Sequence, residues 1–208
     1  MTKILIVDDH AMIRTGLRQL CVDHVPGSSI CEADNAQAAL HLQKSEHPRL
    51  TILDLNMPGP SGLELLRQLL EADANARVLV FSMHGEPVYA AKALKLGARG
   101  YVSKNASPDE LRTAVSRILS GSTYVEAEIA QQLVVLPGEQ HQQLSERDLE
   151  ILRLLGEGRS FTEIAQQLGL GYKTVANTAT AIKSKLGVGR TADLIRLSVE
   201  MGIGRQVP

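Results

Sequence analysis

The sequence contains no tryptophan, and only two phenylalanines and four tyrosines among 208 residues. Its core must therefore be aliphatic. Cysteine is scarce too: Cys21 and Cys31 have neither metal-ligand spacing nor the number needed for a disulfide framework. They read as small core or strand residues of a reducing cytosol. No apolar stretch approaches the length of a membrane span. The N-terminal apolar run is short and ends in Asp8-Asp9, which does not fit a signal peptide. A cytoplasmic chain with no membrane partner is expected. An excess of charge of either sign is also lacking, with 22 Lys+Arg against 23 Asp+Glu, so global charge implies no partner. By segment, residues 1–119 carry 13 basic and 13 acidic side chains, residues 120–143 none and three, and residues 144–208 nine and seven. The last segment is thus mildly cationic and far from a strongly basic nucleic-acid domain.

What is present is a set of charged residues placed directly after short β-forming runs. Asp8-Asp9 follow Ile4–Val7, Asp54 follows Leu50–Leu53, and Lys104 follows Gly100–Ser103. Such runs read as buried parallel strands. The carboxyl ends of parallel strands meet in one crevice of an open α/β sheet. Three carboxylates and one ammonium would therefore converge at one edge. Crowded carboxylates stay ionised only with a cation among them. Hard oxygen ligands in small number suit Mg²⁺, which keeps several waters for phosphate.

Strand patterns near 3–7, 28–33, 50–54, 77–82 and 100–103 alternate with helical patterns near 11–24, 35–45, 61–72, 86–96 and 108–119. Ser107-Pro108-Asp109-Glu110 is a helix start: an N-cap, proline in the first turn, then acids. Five βα units predict an α/β domain with a doubly wound, five-stranded parallel sheet over residues 1–119. Together with Asp8-Asp9, the string Asp54-Leu-Asn-Met-Pro-Gly-Pro-Ser-Gly62, Ser82 and Lys104 resemble a two-component response-regulator receiver. That resemblance implies the flavodoxin-like strand order. It implies that Asp54 accepts a phosphoryl group from a cognate histidine kinase. Asp8, Asp9, Asp54 and the backbone carbonyl of Asn56 would hold Mg²⁺, and Ser82 and Lys104 would contact the phosphate. It makes Tyr101 an aromatic switch coupled to Ser82. His84, two residues beyond Ser82, reads as lining the rim of the site and affecting access of water, with a catalytic base as the alternative. Taken singly, Asp54 could be a loop cap, Lys104 a snorkelling surface lysine and Tyr101 an edge-strand β-former.

Residues 120–143 change character. They are expected to form a linker with a short helix over Ala127–Leu133, and Pro137–Gln143 within it is polar without apolar periodicity. Residues 144–208 read as four helices. Ser145 opens the first, with Asp148 in the reciprocal capping position. Thr162–Leu168 and Tyr172–Leu186 flank a Gly-Leu-Gly turn, a helix-turn-helix pattern, and Arg190–Met201 follows. Ile164-Ala165, Thr174-Val175, Ile182 and Lys185-Leu-Gly-Val188 resemble the LuxR-type DNA-binding domain, so that the whole chain resembles a NarL/FixJ-type response regulator.

On the third of these helices Val175, Ala179, Ile182 and Leu186 share the core spacing. The opposite face carries Lys173, Ala176, Asn177, Thr180, Lys183 and Ser184. Position 176 commonly carries lysine in the family and position 178 histidine; here they are Ala176 and Thr178. Asn177 and Thr180 are then the side chains able to reach base edges, with Ala176 offering apolar contact to a thymine methyl. Lys173, Lys183, Lys185 and Arg190 are expected on phosphates, with Thr174 adding a contact at the helix start. The expected function is that of a phosphorylation-controlled regulator, not an enzyme. It would form a homodimer on activation and bind double-stranded promoter DNA. The last helix, with Leu194, Ile195, Leu197 and Val199, would be its dimer surface on DNA. A rival reading makes the C-terminal domain a protein-interaction module.

Overall fold

The computed structural model describes residues 1–58, 62–83, 87–135, 144–201 and 203. In chain order the elements are β1 (Lys3–Val7), α1 (Ala11–His24), β2 (Ser29–Ala33), α2 (Ala36–Glu46), β3 (Leu50–Leu53), α3 (Gly62–Ala72), β4 (Val78–Ser82), α4 (Pro87–Leu96), β5 (Gly100–Ser103), α5 (Pro108–Leu119), β6 (Tyr124–Val125) and α6 (Ala127–Val135). Four more helices follow: α7 (Glu146–Gly156), α8 (Phe161–Gln167), α9 (Tyr172–Leu186) and α10 (Thr191–Glu200). The chain divides into two compact units. One comprises Met1–Gly85 and Tyr89–Gln131, the other Glu86–Val88 and Gln132–Pro208.

The first unit is built on a parallel sheet in the order β2-β1-β3-β4-β5-β6. Strand side chains alternate between its faces. Ile4 and Ile6 join Ile52, Leu79 and Val102 in a core with Leu17 and Cys21 of α1 and Leu111, Val115 and Ile118 of α5. Leu5, Val7, Leu53, Val78 and Val80 alternate to the other face and are equally buried. Burial on both faces is why these strands read as continuous apolar runs. Burial also pushes the Cys21 thiol up to about 12, which leaves it a packing residue with little thiolate. Ser107 caps α5 by accepting from Glu110 N–H, and Pro108 stands at its start.

The sheet has six strands, where the sequence pattern gives five. Tyr124–Val125 falls in the stretch read as linker, but it pairs with Gly100–Tyr101 and covers the outer edge of β5. Gly100 permits that approach: a Cβ there would lie 2.8 Å from Tyr124 O and 2.6 Å from the Ile118 side chain. The helix expected over 127–133 runs to Val135. Pro137–Gln143 lies outside the described residues, as does His84.

In the second unit, two helices open with reciprocal capping boxes. Ser145 accepts from Asp148 N–H while Asp148 accepts from Ser145 N–H, and Ser160 and Glu163 repeat the arrangement on α8. The α8–α9 turn passes through Gly169 at φ +63°, a left-handed conformation that glycine adopts without steric cost. Val175, Ala179, Ile182 and Leu186 of α9 are all buried, as their spacing predicts, and Leu149 and Leu152 of α7 are buried as well.

Candidate functional site

The strand ends bring the expected charges together. The β-ladder continues past the strands themselves: Asp8 N–H donates to Ala33 O, Asp54 N–H to Val7 O and Lys104 N–H to Ser82 O. These bonds fix where each side chain leaves the backbone. Lys104 Nζ lies 2.6 Å from Asp8 Oδ2 and 2.6 Å from Asp54 Oδ2. All three side chains are at least 96% buried. The Asp54 carboxylate also accepts from Asn56 N–H at 3.0 Å. Gly62 packs so closely on the Leu55 backbone that no Cβ would fit, which holds the loop after Asp54 against the start of α3.

Asp8, Asp9, His10 and Asp54 each offer a ligand atom within 4.8 Å of one another. Three carboxylates against the one ammonium of Lys104 leave a formal charge of −2. Asp9 Oδ1 is buried without a hydrogen-bond donor: His10 Nδ1 stands 2.8 Å away but without hydrogen-bond geometry. An undonated carboxylate oxygen in an acidic pocket of net −2 fits a divalent cation.

Ser82 is fully buried, and its hydroxyl donates to Asn56 Oδ1 at 2.7 Å. The Asn56 side chain therefore engages Ser82, a contact beyond the backbone ligand role that the family resemblance implies for this residue. Tyr101 is fully buried on β5, between β4 and β6. Two neighbours escaped the sequence reading. His10 N–H donates to Asp8 Oδ1 at 2.8 Å, and Arg14 Nη1 donates to Asp8 O at 2.7 Å while its Nε reaches Glu32. The position of His10 directly after the two acids was a signal for the first. Arg14 carried none, because its partner is a main-chain oxygen.

The second cluster lies on α9. Lys173, Thr174, Asn177 and Thr180 are exposed, and Ala176 and Lys183 are partly so. The Thr180 hydroxyl donates to Ala176 O, which leaves its oxygen as an acceptor. Arg190 is exposed just before α10. Lys185 is placed differently: its ammonium sits 2.5 Å from Asp148 Oδ2 and ties α9 to the cap of α7. Burial acts to raise the Asp148 pKa, but Lys185 and the Ser145 donors outweigh it and hold the carboxyl below its usual value. A lowered folded-state pKa contributes stability above the unfolded value, lost as pH falls through the folded one. Asp148→Ala is expected to cost about 1–2 kcal/mol at neutral pH, the scale of a lost cap contact. Urea unfolding of both chains should show that gap narrowing at about pH 3; a gap constant with pH would mean the ion pair contributes nothing.

Residues 4–116 match the response regulator receiver domain, and residues 142–198 match the luxR family of bacterial regulatory proteins. The chain is 40% identical to the transcriptional activator protein ExaE of Pseudomonas putida, over 97% of this chain and 98% of that one. It is 31% identical to the response regulator UvrY of Escherichia coli, over 98% and 96%. Among solved structures it is similar to RcsB from Salmonella enterica serovar Typhimurium bound to promoter rprA in the presence of phosphomimetic BeF3-. The TM-score is 0.68 at 25% identity, covering 94% of this chain and 98% of that one. Strand-end charges, capped helix-turn-helix and these likenesses along the whole chain agree: it belongs to the NarL/FixJ family of two-component response regulators, phosphorylation-dependent transcription regulators that join a receiver domain to a LuxR-type helix-turn-helix.

Proposed function

We propose that Asp54 is the phosphoacceptor of this chain. The observation that carries the reading is the Lys104 ammonium, buried and 2.6 Å from both Asp54 and Asp8. A carboxylate is a weak nucleophile. Asp54 attacks the phosphorus of a phosphohistidine, an oxygen–phosphorus bond forms, and the nitrogen–phosphorus bond breaks with its electron pair returning to the imidazole. Mg²⁺ bound by Asp8, Asp9, Asp54 and the carbonyl of Asn56 would neutralise charge on the carboxylate and the phosphoryl oxygens. Asp54 gives up its charge to the phosphoryl group, and Lys104, a point charge on a flexible stem, follows it. The Ser82 hydroxyl exchanges Asn56 Oδ1 for a phosphoryl oxygen. That movement next to β5 is what we assign to the Ser82–Tyr101 switch.

The output is a homodimer on double-stranded promoter DNA. Asn177 and Thr180 read base edges, Ala176 meets a thymine methyl, and Lys173, Thr174, Lys183 and Arg190 meet phosphates. Lys185 we keep for Asp148. The domain from 144 onward carries about +2, so affinity per monomer is low and dimerisation supplies the rest. Sedimentation velocity with and without beryllofluoride, at one protein concentration, tests the linkage. The treated chain is expected to sediment as a dimer and to shift promoter DNA at lower concentration than the untreated chain. Identical sedimentation and identical gel shifts would overturn control by phosphorylation-driven assembly.

A further inference from the structure

Strand β6 is two residues long, and Glu126 is what stops it. In the ladder with β5, Tyr124 N–H donates to Arg99 O at 3.0 Å and Glu126 N–H to Tyr101 O at 3.1 Å. The regular alternation of a parallel ladder would next send Ser103 N–H to the Glu126 carbonyl. That carbonyl already accepts from Ala130 N–H at 2.9 Å, the first turn of α6. Ser103 N–H is met instead by the Glu126 side chain, at 2.6 Å from Oε2. One residue thus ends a strand, begins a helix, and supplies from its carboxylate the acceptor that its backbone has given to the helix.

The residue after Ser103 is Lys104. Lys104 N–H donates to Ser82 O at 2.9 Å, on the β4 side. The end of β5 is therefore pinned from both sides, by Ser82 on one and by Glu126 on the other. The Lys104 side chain is 4% exposed and reaches two carboxylates at once. Its reach depends on where the end of β5 sits. Glu126 itself is 8% exposed. Burial pushes its carboxyl pKa up, the Ser103 N–H acts against that, and Glu110 and Glu128 add to the rise. A buried carboxylate beside two acids is costly unless a donor meets it, and among the described residues Ser103 N–H is the donor recorded for it.

We propose that Glu126 is a positioning residue for phosphoryl transfer at Asp54, clamping the Ser103 amide so that the end of β5 presents Lys104 to the acceptor. This rests on the reading of Asp54 as the acceptor. Glu126 touches none of the reacting atoms. It acts through the backbone of Ser103, and because it directly precedes α6, the same carboxylate fastens the first turn of that helix to the site.

The test is the initial rate of labelling of the full chain by acetyl phosphate in Mg²⁺, with amide exchange at Ser103 measured in parallel. Glu126→Asp keeps the charge but withdraws it by one carbon–carbon bond, about 1.5 Å. Glu126→Gln loses the charge but keeps an acceptor oxygen at the original reach. Positioning predicts that Glu126→Asp and Glu126→Ala label about tenfold more slowly, because a misplacement of this size is expensive. It predicts that Glu126→Gln restores a near-normal rate. Ser103 exchange should accelerate in the first two and not in the third. Tyr124→Phe, which removes from β6 a hydroxyl bonded to Glu110 of α5, should label like the parent chain. Should Glu126→Ala fail to fold, the Asp and Gln variants carry the comparison. A parental rate in Glu126→Asp, or a rate in Glu126→Gln as low as in Glu126→Asp, overturns the proposal. Labelling that survives Asp54→Asn overturns the acceptor reading instead. Loss of labelling there together with a parental rate in Glu126→Asp removes only the clamp.

Discussion

Asp54→Asn will lose phosphoryl labelling by acetyl phosphate or by a kinase, down to the background of the unreactive protein. The substitution keeps the size and one acceptor oxygen of the side chain, so the hydrogen bond from Asn56 N–H survives. It removes the anionic nucleophile, and an amide cannot form the acyl phosphate. Loss of the nucleophile itself affects the chemical step alone, so the expected effect is at least about a hundredfold. Folding should be nearly unaffected. Lys104 keeps its second carboxylate, Asp8 at 2.6 Å, and is not left as an unpaired buried charge, the circumstance that makes breaking a buried pair severe. Labelling, circular dichroism and thermal unfolding on the same preparation separate the two effects. Undiminished labelling in a folded variant would move the acceptor to Asp8 or Asp9 and would falsify the assignment. Chelation by EDTA should silence the parent chain as well, because the pocket's formal charge of −2 then opposes the approach of an anionic donor.

The meeting of Asp8, Asp54 and Lys104 is legible because its signals are local. Each charge follows an apolar run, and runs buried on both faces announce parallel strands without reference to anything distant. Carboxyl ends of parallel strands meet as a consequence of topology, so Asp8, Asp54 and Lys104 can be placed together although 46 and 50 residues separate successive members. The core face of α9 was legible for the same reason: helical spacing alone separates Val175, Ala179, Ile182 and Leu186 from Asn177 and Thr180. What escaped depends on pairs that no spacing joins. Tyr124–Val125 is too short to show alternation, and its clearest trace is the small residue opposite, Gly100. Lys185 reads by its sign as a phosphate contact, and the structure pairs it with Asp148, 37 positions earlier on another helix. The amide of Asn56 holding Ser82, and the carboxylate of Glu126 holding Ser103, are likewise contacts between loops and strand ends. Sequence pattern orders elements. It does not order the polar atoms between them.

Asn177→Ala and Lys183→Ala should fail in different ways on DNA. Both residues lie on α9 clear of the buried face, Asn177 exposed and Lys183 partly so. Six residues separate them, which places Lys183 about 9 Å along the helix and about 120° around it from Asn177. Lys173, Thr174 and Thr180 fall within about 60° of Asn177, on the stripe that would face a groove, whereas Lys183 lies on its flank. An asparagine can hold adenine through two hydrogen bonds, and losing that pair costs about 1–3 kcal/mol of discrimination at one base pair. Asn177→Ala is therefore expected to weaken binding to a specific site while leaving scrambled DNA almost unchanged. A lysine on a phosphate contributes counterion release, which does not depend on sequence. Lys183→Ala is expected to weaken binding to both DNAs and to flatten the plot of log affinity against log salt by about one unit. The measurement is a salt series for the parent chain and both variants, activated with beryllofluoride, on the two DNAs. Equal weakening on both DNAs by Asn177→Ala would take base reading away from that residue. Parental behaviour in both variants would leave α9 without a DNA role and favour a protein as the partner of the C-terminal domain.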